Sequence, residues 1–203
     1  FKYSIMNKIN ITVGILAGGK ATRMNNQDKG LVMFNGKYMI ENIINAIEPY
    51  VKHITINANR NISKYKKLGY PVVQDFYEGY AGPLSGIYSI LNVTNSKYLM
   101  ILPCDSPLIE WKLIQEMYNE IKSSGVEVVV AHNTNRAQPV FMIIDTAVKD
   151  SIKEHIESGS RKIDFWYLEK NYKYIYFNEN CDYFKNINTE EELNNLETKN
   201  NEE

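Results

Sequence analysis

The run Ile11-Thr12-Val13-Gly14-Ile15-Leu16 carries no charge and stops at Ala17-Gly18-Gly19. A short apolar run bounded by glycine reads as a strand buried on both faces. The segment that follows carries Lys20, Arg23 and Lys29. Glycines let backbone N–H groups approach anionic oxygens that a side chain would hold off. Cations then neutralise charge that the amides cover only in part. The combination reads as a polyphosphate-binding loop. A lone glycine pair would favour a plain strand-to-loop turn; the added Arg23, Asp28 and Lys29 favour the nucleotide site.

Residues 14–21 read G-x-x-x-x-G-K-Ala, one residue away from a P-loop. That motif needs Ser or Thr after its lysine to hold magnesium, and here Ala21 stands there. Gly18-Gly19 also lacks the G-x-G-x-x-G spacing of a dinucleotide fingerprint.

Strand-like and helical runs alternate along the chain. Strands are expected at 11–16, 51–56, 71–74, 98–102, 127–131 and 138–144. Helices are expected at 39–47, 62–68, 83–91, 113–121, 146–156 and 190–196. Helical spacing at Ile40, Ile43, Ile44 and Ile47 supports the first, and Pro83 opens the third. This alternation implies an α/β chain with a mostly parallel central sheet and helices on both faces. An antiparallel strand is expected near Pro139. Ligands of such sheets sit outside the carboxyl ends of the strands. Gly18-Gly19, Asn57, Asp75 and Asp105 each follow the end of an expected strand, so they fall along one edge.

Asp105 follows a buried strand and can hold a hard cation, because Mg2+ takes one or two carboxylates plus phosphate oxygens. A turn or cap aspartate before Pro107 is the competing reading. Asn57 offers an amide to a base edge, and Asp75 offers a carboxylate acceptor. Both are also common turn residues, as Asn59 and Asn61 are read to be. Cys104 reads as a small buried filler rather than a nucleophile. His53, His132 and His155 have no ligand-spaced partners, so no zinc site is expected. Phe165, Trp166 and Tyr167 read as core packing, and Tyr77 and Tyr80 as half-buried loop residues.

With these residues in view, L-A-G-G-x-x-x-R-M at 16–24 with Asp28-Lys29-Gly30 resembles the nucleotidyltransferases that use an NTP to cap a small phosphorylated molecule. Among them it is most similar to the molybdenum cofactor guanylyltransferases. Ile56-Asn57-Ala58-Asn59-Arg60-Asn61, Pro71-Val72-Val73-Gln74-Asp75, Gly82-Pro83-Leu84-Ser85-Gly86, Pro103-Cys104-Asp105-Ser106-Pro107 and Asn186-Ile187-Asn188-Thr189 follow that family's landmarks in order. The resemblance implies a single-domain, Rossmann-like nucleotidyltransferase fold over 6–197. Residues 1–5, ahead of Met6, read as an upstream remnant, and 198–203 as a frayed tail. It implies catalytic roles for Arg23, Lys29 and Asp105, with Mg2+ on Asp105. It implies GTP contacts from Leu16, Ala17, Gly18, Gly19, Lys29, Asn57, Asp75 and Asp105. Gly82, Ser160, Arg161, Asn186 and Asn188 would face the pterin, although 159–162 reads equally as a solvated basic turn. Asn25 stands where the family has glycine, and Tyr38 where it has proline; neither removes a chemical group.

The expected activity is transfer of GMP from GTP to molybdopterin, with pyrophosphate leaving. Cytidylyl transfer to molybdopterin, nucleotidyl transfer to a sugar phosphate and a silent nucleotide-binding module are the alternatives. The chain has 203 residues and a net charge of -1, with no basic balance to suit a nucleic-acid partner. No apolar run approaches the ~20 residues of a membrane span, and 1–10 lacks the apolar stretch of a signal peptide. Two cysteines suit a reducing compartment. A cytoplasmic enzyme is expected, with transient contacts to proteins that handle the molybdenum cofactor.

Overall fold

In the computed structural model of the chain, the first apolar run forms β1, Ile9–Leu16, an interior strand of the sheet. The structure describes residues 7–19, 28–77, 79, 82–178, 181–187 and 192. After β1 come a 3-10 turn at Lys29–Leu31, then β2 (Met33–Phe34), β3 (Lys37–Tyr38), α1 (Met39–Ile47), β4 (Val51–Asn57), α2 (Ile62–Lys66) and β5 (Val72–Val73). The chain continues through α3 (Pro83–Leu91), β6 (Tyr98–Pro103), α4 (Trp111–Ser124), β7 (Val128–Asn133) and β8 (Ala137–Asp145). A 3-10 turn, Thr146–Val148, leads to α5 (Lys149–Glu157), α6 (Ile163–Tyr167) and β9 (Tyr172–Phe177).

Seven strands form one sheet in the order β5-β4-β1-β6-β8-β7-β9. Every neighbouring pair is parallel except those made by β8, which runs antiparallel to both β6 and β7. The antiparallel strand expected near Pro139 is therefore present. The β7–β8 turn is fixed by Asn133, whose Oδ1 accepts from the backbone N–H of Arg136 at 2.8 Å. From β1 the chain steps outward to β4 and β5, then returns to β6 on the other side of β1. That reversal places a topological switch point between β4 and β6, at the carboxyl end of β1.

Alternation along β1 explains its position. Ile11, Val13 and Ile15 pack with α1 and α4 residues such as Ile43, Ile47, Leu113 and Met117. On the opposite face, α3, α5 and α6 pack through Ile87, Ile90, Ile152 and Trp166. Gly14 faces α3, and a Cβ there would stand 2.7 Å from Cδ1 of Ile90. The missing side chain is what lets α3 lie close to the strand.

Most boundaries match the sequence reading, with α1 and α3 at the expected residues. The helix expected over 146–156 starts instead as a 3-10 turn, because the Asp145 side chain caps Ala147 before the α-helix begins at Lys149. Of the helix expected at 190–196, only Glu192 lies among the described residues, and it is helical. Helix α6, strand β9 and the β2–β3 hairpin were not anticipated. The hairpin turns on Asn35 and Gly36, both at positive φ (49° and 75°), the pair that a two-residue turn of the right twist requires. Beyond it, the Tyr38 N–H donates to Glu41 Oε2 at 2.8 Å and starts α1. A proline at 38 could not make that bond.

Candidate active site

Past Leu16 the sheet opens. The carbonyl of Leu16 accepts from the Cys104 N–H at 3.1 Å, and the Ala17 N–H donates to the Asn57 carbonyl at 2.8 Å. Beyond these bonds, residues 17–19 leave the sheet into a cleft of about 570 Å³. Its floor is the carboxyl ends of β1, β4 and β6. One wall is the start of α3, with Gly82, Pro83 and Gly86; the other holds Asp28, Lys29 and Asn186. Of the residues singled out in the sequence, Leu16, Ala17, Gly18, Gly19, Lys29, Asn57, Asp75, Asp105, Gly82 and Asn186 all line it. Arg23 and Asn188 lie outside the described residues. Ser160 lines a separate groove with Ser151, His155 and Phe165 between α5 and α6. Arg161 touches the cleft wall through its backbone, since its carbonyl oxygen would stand 2.9 Å from a Cβ on Gly82.

One end of the cleft is cationic and acidic at once. Lys29 Nζ donates to Asp105 Oδ2 at 2.7 Å, with both side chains largely buried. The three residues Asp28-Lys29-Gly30 act as a unit. Asp28 is buried and accepts from the Tyr65 hydroxyl at 2.7 Å. Burial, followed by the neighbouring Cys104 and Asp28, pushes the Tyr65 phenol far up, so it stays a donor. Gly30 packs directly beneath: a Cβ there would stand 2.7 Å from the Tyr65 hydroxyl oxygen and 3.2 Å from Cys104 Cβ. Lys29 is thus held over the cleft by a buried neighbour on each side. Asp105 is fixed from behind, its carbonyl accepting from the Ile187 N–H at 2.9 Å. Ser106 donates to Asn186 Oδ1 at 2.6 Å and ties the same two segments together. The buried Cys104 thiol is pushed well up by burial, then by the Asp105 and Asp28 carboxylates. It is a neutral filler, as the sequence suggests.

The other end is an amide–carboxylate network. Asn57 is 2% exposed, and its Nδ2 donates to Asp75 Oδ1 at 2.9 Å and to the Val73 carbonyl at 3.3 Å. Both of its amide hydrogens are therefore used within the protein. In this structure the amide expected to meet a base holds Asp75. Its Oδ1 wedges between Gly18 and Gly86, and a Cβ on either glycine would overlap it. Asn59, read from sequence as a turn residue, is a full member of the network. Its Nδ2 donates to Asp75 Oδ2 at 2.9 Å, and its Oδ1 accepts from the Asp75 N–H at 2.9 Å. Asn61 is the turn residue of the segment, at φ 49°.

The site can therefore offer glycine amides, a cation, a carboxylate for metal and a fixed pair of acceptor oxygens along one sheet edge. An α/β fold with that series at its topological switch point defines a nucleotidyltransferase. A family model described as a MobA-like NTP transferase domain matches residues 13–170. The molybdenum cofactor guanylyltransferase of Shewanella woodyi is 44% identical over 188 residues, 93% of this chain and 96% of its own length. That of Shewanella putrefaciens is 42% identical, over 91% of this chain and 94% of its own. The chain belongs to this family of molybdenum cofactor guanylyltransferases. Its fold matches the molybdopterin-guanine dinucleotide biosynthesis protein A of Archaeoglobus fulgidus with a TM-score of 0.79 at 22% identity, over 95% of this chain and 100% of that one. No described helix is long and apolar enough to cross a membrane.

Proposed function

We propose that the chain transfers GMP from GTP to molybdopterin, releasing pyrophosphate. The observation that carries this reading is the polarity of the cleft. Lys29 and Asp105 stand at one end and the Asp75 network at the other, with the Gly18-Gly19 backbone between them. Phosphate would lie over the glycines and Lys29, and the base against Asp75.

A terminal phosphate oxygen of molybdopterin attacks the α-phosphorus of GTP. The new P–O bond forms as the bond to the bridging oxygen of the β-phosphate breaks, and that oxygen leaves with its electron pair as pyrophosphate. The nucleophile is already ionised, so no general base is needed. What remains is positioning and charge stabilisation. Arg23 and Lys29 neutralise charge on the leaving pyrophosphate, and the Gly18 and Gly19 backbone supports the triphosphate. Gly82, Asn186, Asn188 and Arg161 are assigned to the pterin side, whereas Ser160, in its separate groove, is not.

The residues present fit Mg2+ held by Asp105. Its Oδ1 is bonded to no side chain among the described residues, while Oδ2 pairs with Lys29. Among the described residues no group of three or more His, Cys, Asp or Glu forms a complete cage. A single carboxylate suits an ion whose remaining ligands are water and substrate phosphate. When bound there, Mg2+ would supply charge neutralisation for the phosphate oxygens. The two free thiols, Cys104 and Cys181, support a reducing, cytoplasmic setting, where transient contacts with proteins that take up the cofactor would follow.

A pyrophosphate-release assay with molybdopterin and each of GTP, CTP, ATP and UTP tests the proposal. Turnover with GTP well above the others is expected. Equal or greater turnover with CTP would replace guanylyl by cytidylyl transfer. Binding without turnover of any nucleotide would make the chain a silent module.

A further inference from the structure

Asn59 stands just past the end of β4 and reaches two parts of the cleft at once. Toward β5 it forms a closed two-point pair with Asp75: the Asp75 N–H donates to Asn59 Oδ1 and Asn59 Nδ2 donates to Asp75 Oδ2, each at 2.9 Å. Toward β1 the same Nδ2 donates to the Gly18 carbonyl at 3.3 Å. The next residue repeats the second contact, Arg60 Nη2 donating to the Gly19 carbonyl at 3.3 Å. We propose that Asn59 is a positioning residue that couples selection of the base to the geometry of the phosphate loop. The proposal rests on the guanylyl-transfer reading above.

Two physical constraints carry it. The first concerns Asp75. Asn57 donates to Oδ1 and Asn59 to Oδ2, so the plane of the carboxylate is fixed and neither oxygen can rotate away. Each oxygen keeps a lone pair for an outside donor. Two fixed acceptors side by side match two neighbouring donors, and guanine presents such a pair in its N1–H and 2-amino group. Without Asn59, the carboxylate is held on one oxygen only and can turn.

The second concerns the loop. A trans peptide is planar, so its C=O and the following N–H point in opposite directions. Asn59 draws the Gly18 carbonyl toward β4, which turns the Gly19 N–H the other way. That N–H becomes free to meet a phosphate oxygen. Gly18 has no room for a side chain here: a Cβ would stand 2.8 Å from Asn57 Oδ1 and 2.9 Å from Asn59 Nδ2. The same amide group that orients the base acceptor therefore orients the loop. Preorganised donors of this kind act in the transition state.

The test compares GTP with ITP, whose base keeps the N1–H but lacks the 2-amino group. Pyrophosphate release with molybdopterin is measured for the unmodified protein, Asn59→Ala and Asn59→Asp, with thermal melts of each. The unmodified protein should favour GTP over ITP by about 10-fold or more in kcat/KM. In Asn59→Ala that ratio should fall to within about 3-fold, and kcat with GTP should also fall by about 10-fold or more as the loop loosens. Asn59→Asp keeps the acceptor for the Asp75 N–H but loses the donor, and should shift the ratio in the same direction; it serves if the alanine variant does not fold. A merely structural Asn59 would lower both nucleotides equally. An unchanged GTP:ITP ratio in folded variants, with the unmodified protein selective, overturns the role of Asn59 alone. Absence of guanine preference in the unmodified protein overturns the guanylyl reading, and this proposal with it.

Discussion

Lys29 and Asp105, 76 positions apart in sequence, meet at 2.7 Å across the floor of the cleft. Each neutralises the other where a nucleotide would bring its phosphates. Pairing spares either group the cost of being buried alone. The pair would open when phosphate takes the lysine. Its two halves therefore make separate predictions.

Asp105→Ala should lower kcat by roughly 100-fold or more, since it removes the carboxylate assigned to the metal. It also removes the carboxylate that pairs with Lys29 at 2.7 Å, which for a partly exposed pair should cost about 1 kcal/mol of stability. Pyrophosphate release and a thermal melt on the same sample check both effects. Near-normal turnover in folded protein would remove Asp105 from the chemistry.

Lys29→Ala should lower kcat more than it raises KM for GTP, if the lysine tightens on charge that develops only as pyrophosphate leaves. Steady-state kinetics at saturating Mg2+ separate the two parameters. A raised KM with unchanged kcat would limit Lys29 to binding the ground state.

Gly30 connects fold to site. A Cβ at 30 would press on the Tyr65 hydroxyl at 2.7 Å, and that hydroxyl holds Asp28. Gly30→Ala should therefore displace Tyr65 and cost about 1–3 kcal/mol, the range for a buried hydrogen bond left unmade. Tyr65→Phe removes the same bond without overpacking, and should cost a similar or smaller amount of stability. Chemical denaturation of both variants provides the comparison. A Gly30→Ala protein as stable and active as the unmodified one would mean that the glycine is not needed for room.

Much of this was legible in the sequence, for identifiable reasons. α1 could be bounded to the residue because Ile40, Ile43, Ile44 and Ile47 repeat at helical spacing, and all four are buried. The line of site residues could be read because each follows an apolar strand. The β2–β3 hairpin was missed although its signal is local: Asn35-Gly36 is the strongest two-residue turn pair. β9 carries a period-two signal, with Tyr172, Tyr174 and Tyr176 alternating with Lys173, Ile175 and Phe177, blurred because one face is tyrosine and the other mixed. Asn59 sits inside the motif at 56–61 but reads there as a turn residue. Its role depends on Asp75, a partner 16 residues away that β5 brings alongside, and only pairing of β5 with β4 reveals it.

The base end gives the sharpest prediction. Asp75 has both oxygens anchored, by Asn57 and Asn59, and still has acceptor capacity on each. Guanine offers two adjacent donors to such a pair. Adenine lacks the N1–H and the 2-amino group, and the pyrimidines offer a different edge. A site that leaves a buried acceptor unpaired loses roughly 1–3 kcal/mol per missing partner. GTP should therefore bind at least about 10-fold more tightly than ATP, CTP or UTP, since each 1.4 kcal/mol is a factor of ten. Asp75→Ala should remove most of that preference while leaving the Lys29–Asp105 end intact. Its binding of inorganic pyrophosphate should accordingly stay close to that of the unmodified protein. Calorimetric titration of each nucleotide, and of pyrophosphate, with Mg2+ present decides between the outcomes. If CTP binds as tightly as GTP, or if Asp75→Ala keeps the preference, the base is read elsewhere in the cleft and cytidylyl transfer becomes the better account.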